Sequence, residues 1–349
     1  MRFASKACAV FATTGLALGL ATMPARAEAA PVACDVPALK AAIVAANMSG
    51  GTLDLSRKCV YTLTAAHDGV NGLPVITNNV TINGNFATIE RQSADLFRLF
   101  EVAPGARLTL RGITLRKGDL NASADGGAVL VDAGGRLDVR GSSIRENTAR
   151  NGGGIFTAGS TSANGSSISE NTATGFGGGI GVGGPSGSLT MNGSAVTGNE
   201  GNFSGGLGFD FGTTGMIQAT AINNNKANVN GGGLANDGTL TVRASQFIGN
   251  KAGGDGGGLA NDRSVTIVNS TFYANTANRG GGVANFNAPS QPTATATINT
   301  SIIVGNVANT TAGGVFNSVG TTTLTRSVVV ANTPNNCLGS TPPVNGCVG

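Results

Sequence analysis

Arginines stand at matching positions in two successive copies of a repeated unit, with one aspartate beside them. The set consists of Arg111, Arg116, Arg140, Arg145 and Asp138. When the two copies are aligned, Arg111 stacks over Arg140, and Arg116 stacks over Arg145. Like charges one strand spacing apart, about 4.8 Å, repel unless an anion or a carboxylate lies between them. We therefore take these residues as candidates to bind an acidic glycan. The alternative is a solvated basic face that is balanced by Asp138 and Glu146.

Aspartates form a second candidate set, because Asp237 and Asp262 follow the matching runs 234–236 and 259–261. Asp255 lies in the loop between the two runs. Stacked carboxylates can share a Ca²⁺ ion or serve as a catalytic acid and base. These three residues are the candidates for a metal site. The alternative is a set of solvated turn carboxylates, since no Lys or His lies in register with them.

The sequence lacks a complete catalytic set. Pectin hydrolases would show Asn-Thr-Asp, Asp-Asp, Gly-His-Gly and Arg-x-Lys elements in successive units, and none of these elements is present. His67 is the one histidine of the sequence, and it lies ahead of the repeats. No Ser/His/Asp or Cys/His set can be built around it. The sequence therefore predicts no catalytic residue and no cofactor.

A repeat with a period of 24 to 31 residues positions these side chains. In eight units an apolar residue is followed three positions later by an asparagine. These asparagines are Asn147, Asn171, Asn199, Asn225, Asn250, Asn275, Asn306 and Asn332. Glycines before an apolar residue form a second motif, as in 232–234, and alternating runs such as 240–242 precede the asparagine motif. A fixed period with such alternation indicates a solenoid of short strands.

Three short strands per unit fit an all-β, right-handed parallel β-helix of about 12 turns, since right-handed crossovers are the strong default. Equivalent residues then stack in columns, and the asparagine column is predicted to be a structural ladder rather than a ligand site. Residues 36–47 carry apolar side chains at helical spacing and predict a short helix that covers the first turn. We divide the chain into a signal peptide (1–27), an N-terminal cap with the first turns (28–107), the repeats (108–336) and a C-terminal tail (337–349).

The repeat motifs resemble those of the chlamydial polymorphic outer membrane protein group. The closest matches are the runs Phe-Ile-Gly-Asn at 247–250 and Phe-Tyr-Ala-Asn at 272–275, and the resemblance covers roughly residues 108–336. It implies a β-helix of the pectin-lyase-like type. The sequence departs from the autotransporter members of that group by ending at Gly349, soon after the last repeat. We therefore expect no outer-membrane barrel and no self-export through one.

The first 27 residues predict a cleaved export signal. Arg2 and Lys6 form a basic start, residues 7–23 are apolar, and residues 25–27 form an Ala-Arg-Ala cleavage site. Loss of Arg2, Lys6 and Arg26 leaves 19 basic and 18 acidic residues, a net charge of +1. Such a balance gives no reason to expect a nucleic-acid or anionic-membrane partner. We expect a secreted or cell-surface bacterial protein with no membrane span after cleavage.

Four cysteines remain after removal of the signal, which suggests two disulfides in an exported chain. They are Cys34, Cys59, Cys337 and Cys347. Three pairings are possible. The two cysteines of each terminus are close in sequence, whereas the termini should lie at opposite ends of an elongated fold. We therefore expect the pairs Cys34 with Cys59 and Cys337 with Cys347, acting as structural staples.

Two functions compete at this stage. Regular ladders, low charge and the missing catalytic set favour a non-enzymatic surface or extracellular interaction rod, whose partner is a polysaccharide or a cell-surface protein. The alternative is a polysaccharide lyase or hydrolase of the same fold, which the arginine and aspartate columns favour. One outward threonine column also suggests an ice-binding face, but the β-propensity of threonine explains an interrupted column. Its members are Thr109, Thr190, Thr241, Thr266, Thr297 and Thr323.

Overall fold

The computed structural model describes Met1 and residues 30–286 and 293–348. The predicted signal peptide therefore lies outside the described residues, apart from Met1. The chain divides into two units, of which the second begins at Pro31. This second unit is a right-handed parallel β-helix of about 11 turns, with one short helix near its start among the described residues. The predicted fold class is confirmed, and the turn count is close to the predicted 12.

The helix α1 spans Val36–Ser49 and covers the first turn of the β-helix. The Asp35 side chain caps its start by accepting a hydrogen bond from the Ala38 N–H at 2.8 Å, which satisfies one of the free donors of the first helical turn. At its end, Gly50 adopts a φ of 72° and donates its N–H to the Ala46 carbonyl. The helix buries Leu39, Ile43 and Ala46 against the first strands.

Strands from successive turns form two long sheets. In the described part of the chain, the first sheet has eleven strands: Gly51–Asp54, Asn79–Asn83, Arg107–Arg111, Arg136–Arg140, Ser160–Asn164, Ser188–Asn192, Thr214–Gln218, Thr239–Arg243, Ser264–Val268, Thr295–Asn299 and Thr321–Thr325. The second sheet also has eleven there: Val60–Leu63, Thr88–Arg91, Thr114–Arg116, Ser143–Arg145, Ser167–Ser169, Ala195–Thr197, Ala221–Asn223, Gln246–Ile248, Thr271–Tyr273, Ile302–Val304 and Val328–Val330.

Two further sheets complete the turns, so many turns have four short strands instead of the three expected from the sequence. Over the same described residues, the third sheet has seven strands: Thr148–Ala149, Thr172–Ala173, Glu200–Gly201, Lys226–Ala227, Lys251–Ala252, Thr276–Arg279 and Val307–Thr311. The fourth has nine: Phe100–Val102, Val129–Val131, Ile155–Thr157, Ile180–Val182, Leu207–Phe209, Leu234–Asn236, Leu259–Asn261, Val283–Phe286 and Val315–Ser318. Pairing also continues beyond residue 336, as between Ser318 and Thr341, so the boundaries drawn at 107 and 336 stay predictions.

Residue-for-residue pairing stacks apolar side chains inside the β-helix. In the first sheet, Leu240 pairs with Val265 and Val242 with Ile267, and all four are buried. In the second sheet, the Phe247 and Phe272 rings stack with centroids 4.5 Å apart and planes 10° from parallel. Burial of this continuous column of apolar side chains is the main contribution to stability.

The eight repeated asparagines form a buried column after the second sheet. Each side-chain N–H₂ donates to the side-chain oxygen of the next asparagine at 2.8–3.0 Å. The same oxygen also accepts the backbone N–H of the asparagine one turn below, as Asn225 does from Asn199 at 3.0 Å. The column begins at the Gly118 N–H and ends at Asn336. From Gly118 onward, each turn is thus tied to the next through buried amide groups.

A second asparagine column lies inside the fourth sheet, and the sequence reasoning overlooked it. It consists of Asn236, Asn261, Asn285 and Asn317. These side chains are fully buried, and each donates to the next at 2.7–2.8 Å. Below Asn236, the same column holds Phe209 and Val182. The interior of the fourth sheet therefore changes from apolar packing to amide hydrogen bonds partway along.

The corner between the first and second sheets has a left-handed backbone in successive turns. Its members are Gly112, Gly141, Gly165, Gly193, Ala219, Ala244, Asn269, Thr300 and Arg326, with φ between 46° and 57°. Glycine adopts this conformation without steric cost. The four glycines also leave the corner open, because a Cβ there would meet no atom within 4 Å. A shallow groove follows from this run of absent side chains.

Disulfides join the cysteines at the two ends of the described β-helix. Cys34 bonds to Cys59 and Cys337 bonds to Cys347, which are the pairs expected from the sequence. The first holds the start of α1 beside the first turn, and the second closes the C-terminal tail. Within the described residues, no helix is long and apolar enough to cross a membrane.

Replacing Asn225 by alanine should destabilise the β-helix strongly. The change leaves the Asn199 N–H and the Val196 carbonyl without these partners, and it removes one of the two hydrogen bonds that the Asn250 side-chain oxygen accepts from residue 225. Buried polar groups without a partner cost about 1–3 kcal/mol each, so we expect a loss of about 3 kcal/mol or more in the free energy of unfolding. Chemical denaturation measures it. Asn228→Ala, at an exposed asparagine in the same turn, is the control; equal losses in both variants would contradict the role of the column.

Candidate ligand-binding site

The strand register brings the four candidate arginines together as two stacked pairs. Arg111 pairs with Arg140 in the first sheet, and Arg116 pairs with Arg145 in the second. Arg116 forms an ion pair of 2.6 Å with Glu90, and Arg145 forms one with the neighbouring Glu146. The second pair is therefore neutralised by local carboxylates.

The first pair has no such partner. Asp138 lies in the same strand as Arg140, two residues before it, but its carboxylate accepts a hydrogen bond of 2.6 Å from the Nε of Arg107. Arg111 and Arg140 are exposed, and within residues 30–286 and 293–348 neither forms an ion pair or a side-chain hydrogen bond. Of the predicted basic set, these two side chains remain available to a ligand.

The candidate aspartates do not all meet. Asp237 and Asp262 stack on successive turns, because their backbone N–H groups donate to Phe209 and to Asn236, each one turn below. Asp255 precedes its fourth-sheet strand, whereas Asp237 and Asp262 follow theirs. Asp255 forms an ion pair with Arg279 at 2.6 Å. No group of three or more His, Cys, Asp or Glu side chains suited to a metal ion occurs in the described ranges. His67 is exposed in the entry region.

A groove rich in phenylalanine lies beside the stacked aspartates, on the outer surface of the fourth sheet. This aromatic groove has a volume of about 330 Å³ and is lined by Phe176, Phe203, Ser204, Gly208, Phe209, Asp210, Ala235 and Asp237. A smaller cleft of about 100 Å³ shares Asp210 and Asp237 with it and extends to Phe211, Asp262 and Arg263. The two together run along successive turns of the β-helix.

Small residues in the fourth sheet make room for the groove. The outward column of this sheet contains Gly181, Gly208 and Ala235 on successive turns. A Cβ at Gly208 would lie 2.6 Å from a ring carbon of Phe176, so this ring occupies the space that a side chain would fill. Phe176 also contacts Phe156 edge to face, with ring centroids 6.0 Å apart.

The open walls of the groove carry exposed aromatic rings. Phe203 is 54% exposed and Phe211 is 53% exposed, although large apolar side chains normally gain by burial. The Arg263 guanidinium lies 4.3 Å from the centre of the Phe211 ring, which fixes that ring at the edge of the cleft. A cluster of exposed rings in a concave surface is typical of a binding site.

Packing inside the sheet supports the groove from behind. Phe209 points inward and is buried, at a column position that holds Val182 one turn below and Asn236 one turn above. Gly215 stands where the neighbouring turns have Leu189 and Leu240, and a Cβ there would lie 2.5 Å from the Phe209 ring. The Phe209 ring fills the space that the absent side chain of Gly215 leaves. The groove therefore lies over a closely packed interior.

Three carboxylates form one wall, since Asp210 joins Asp237 and Asp262 in the same column. Asp237 is exposed at the rim and lines both the groove and the cleft. Desolvation there, followed by repulsion from Asp262 and then from Asp210, raises the pKa of Asp237 from 3.8 to about 6. The carboxylates of this wall can accept hydrogen bonds from a ligand.

The sequence reasoning found Asp237 and Asp262 but missed Asp210 and the phenylalanines. The missed signal was compositional: five of the fourteen phenylalanines lie between residues 156 and 211. They are Phe156, Phe176, Phe203, Phe209 and Phe211. Their sequence spacing follows no single column of the repeat, because some belong to strands and others to turns. Their convergence is visible only in three dimensions.

Replacing Asp237 by asparagine should change stability in a pH-dependent way. A carboxyl group whose pKa is raised in the folded state destabilises the fold increasingly as pH rises from about 4 to about 6, and fully above that range. The variant lacks this penalty, so its Tm should exceed the wild-type Tm at about pH 7.5, with a smaller difference at about pH 4. Thermal melting at both values, with the exposed Asp68→Asn as control, tests this; equal shifts at both pH values would contradict it.

Comparison with known proteins gives one distant likeness. No protein-family model and no curated protein matches the chain. A solved structure to which it is similar is the crystal structure of the Dettilon tailspike protein, with a TM-score of 0.46 and 11% sequence identity. The match covers 86% of this chain and 64% of that one, so the chain spans less than two thirds of the tailspike's length. The architecture described above rests on the strand pairing of the chain itself.

Proposed function

We propose that this chain is an exported β-helix that acts as a surface or extracellular interaction rod and binds a polysaccharide in the aromatic groove. The observation that carries this proposal is the cluster of exposed rings beside hydrogen-bond acceptors, in a groove that runs along the β-helix. Phe176, Phe203 and Asp237 line it. Such a groove accepts an extended polymer from the side, as a linear glycan requires.

The chemistry of the groove suits sugar rings. A pyranose ring has an apolar face of C–H groups, which packs on the flat surface of an aromatic side chain, and a rim of hydroxyl groups. Phe203 and Phe176 offer flat apolar surfaces, and the carboxylates of Asp210 and Asp237 can accept hydrogen bonds from hydroxyl groups. A few placed polar groups in a mainly apolar concave surface give both affinity and orientation.

The carboxylate wall also indicates which glycans fit. Asp210 and Asp237 bring two acidic side chains to the aromatic groove itself, whereas the adjoining cleft holds Asp262 together with the Arg263 guanidinium. An acidic polymer would meet repulsion there, whereas a neutral polymer would not. The aromatic groove is therefore proposed to bind a neutral glycan that is rich in hydroxyl groups.

Other features of the chain agree with a place outside the cell. Two disulfides hold the ends of the described β-helix, and such bonds persist in oxidising compartments. The cleaved export signal, the pectin-lyase-like type and the relationship to polymorphic outer membrane proteins stay predictions of the sequence. A cell-surface protein as partner is the other possibility that the sequence raised.

Cleavage of the bound glycan is the second candidate function. It is favoured by the stacked pair Asp237 and Asp262, of which Asp237 has a pKa of about 6. Two neighbouring carboxyl groups, one of which has a raised pKa, are the arrangement used for glycoside hydrolysis. Incubation with neutral polysaccharides, followed by chain-length analysis, separates the two functions: shortened chains indicate an enzyme, and retention at full length indicates a binding rod.

Phe203→Ala should weaken binding to neutral polysaccharides. Loss of an aromatic stacking surface at the centre of a binding site costs about 1.4 kcal/mol, so we expect about a tenfold decrease in affinity. Affinity electrophoresis in gels that contain a panel of neutral polysaccharides measures the effect, and the wild-type protein identifies the glycans that are retained.

Tyr273→Ala is the matched control, because Tyr273 is a 50% exposed aromatic residue of the second sheet that lines neither groove. Removing its ring should leave retention in the neutral gels unchanged. If no neutral glycan retards the wild-type protein, or if both variants lose retention equally, the aromatic groove is not the binding site.

A further inference from the structure

A second surface of opposite charge lies at the corner between the first and second sheets. A groove of about 470 Å³ runs there along the open left-handed corner. Its floor consists of Gly112, Gly141, Gly165 and Gly193, and hydroxyl groups of Thr114, Ser143 and Ser167 line one side. We call this the corner groove. It faces a different side of the β-helix from the aromatic groove.

The two free arginines directly precede two of the glycines that line the corner groove. Arg111 precedes Gly112 and Arg140 precedes Gly141, so each side chain leaves the backbone beside the glycine floor. The strand register stacks the two residues on successive turns, which sets them about 4.8 Å apart along the β-helix. Two unpaired guanidinium groups at this separation repel each other in the absence of an anion.

We propose that the corner groove binds an acidic polysaccharide with a carboxylate on each sugar, and that Arg111 and Arg140 hold two successive carboxylates. Charge complementarity carries this proposal. One turn of the β-helix advances by about the length of one sugar unit in an extended chain, so the two long arginine side chains can each reach a carboxylate of the same bound polymer. Each guanidinium can bind a carboxylate through two parallel N–H donors.

The other side chains of the corner groove suit the same ligand. Ser143, Ser167 and Thr114 can donate to or accept from sugar hydroxyl groups. Because the corner glycines carry no Cβ, the sugar chain can approach the backbone closely. The site is independent of the aromatic groove, and the failure of one proposal leaves the other untouched. If both hold, one β-helix joins a neutral and an acidic glycan.

The test compares two double variants that remove the same charge. Arg111→Gln/Arg140→Gln should lower affinity for polygalacturonate by about tenfold or more, since two charge-assisted contacts are lost. Arg57→Gln/Arg136→Gln removes two exposed arginines that lie outside the corner groove, and we expect a change of less than about threefold. Biolayer interferometry on immobilised polygalacturonate, at two salt concentrations, measures both, and circular dichroism melting shows that both variants fold.

Two further measurements determine which kind of acidic group the arginines bind. Arg111→Lys/Arg140→Lys keeps the charge but loses the two-donor geometry, so its affinity should fall between those of the wild type and the glutamine variant. Heparin serves as the sulfated probe. Equal losses in both glutamine variants, no loss in either, or tighter binding of heparin than of polygalacturonate through Arg111 and Arg140 would each overturn the proposal.

Discussion

The fold depends on one interaction, the amide hydrogen bond that joins each repeated asparagine to the next. The bond forms only if neighbouring turns keep the same register, because the side-chain oxygen of Asn225 accepts both the backbone and the side-chain N–H of Asn199. A shift by one residue would leave several buried polar groups unpaired in every turn. The ladder therefore fixes the register, and the apolar columns supply the bulk of the stability.

A fixed register leaves the outward positions and the corners free to vary. In the fourth sheet, glycines at 181 and 208 replace larger side chains and admit the rings of Phe156 and Phe176. At the corner between the first two sheets, glycines that tolerate the left-handed backbone leave a groove instead of a ridge. Both grooves follow from the absence of side chains at stacked positions, so the solenoid builds a concave surface without any long loop.

Much of this architecture could be predicted from the sequence, because the repeat itself determines the strands and their stacking. The asparagine period, the glycine motifs and the cysteine positions sufficed for the fold, the helix α1 and the disulfides. The sites were harder. Nothing in the sequence distinguishes Arg116 from Arg111. The structure shows that Glu90 neutralises Arg116 but not Arg111. Glu90 lies 26 residues before Arg116 and outside the clean repeats, so the sequence pattern did not indicate this pair. The aromatic groove was not predicted from the sequence, because its phenylalanine rings come from turns as well as from strands.

The asparagine column has a direction. In every joint from Asn147 to Asn332, the amide N–H₂ points toward the C-terminal end and the oxygen toward the N-terminal end. Each turn in the middle of the column therefore offers an amide N–H₂ donor to the turn above it and an amide oxygen acceptor to the turn below it. Duplication or deletion of a single repeat would change the reach of the protein by about 4.8 Å while every joint kept its form. The length of such a molecule can therefore change during evolution without any change in the hydrogen bonds between turns.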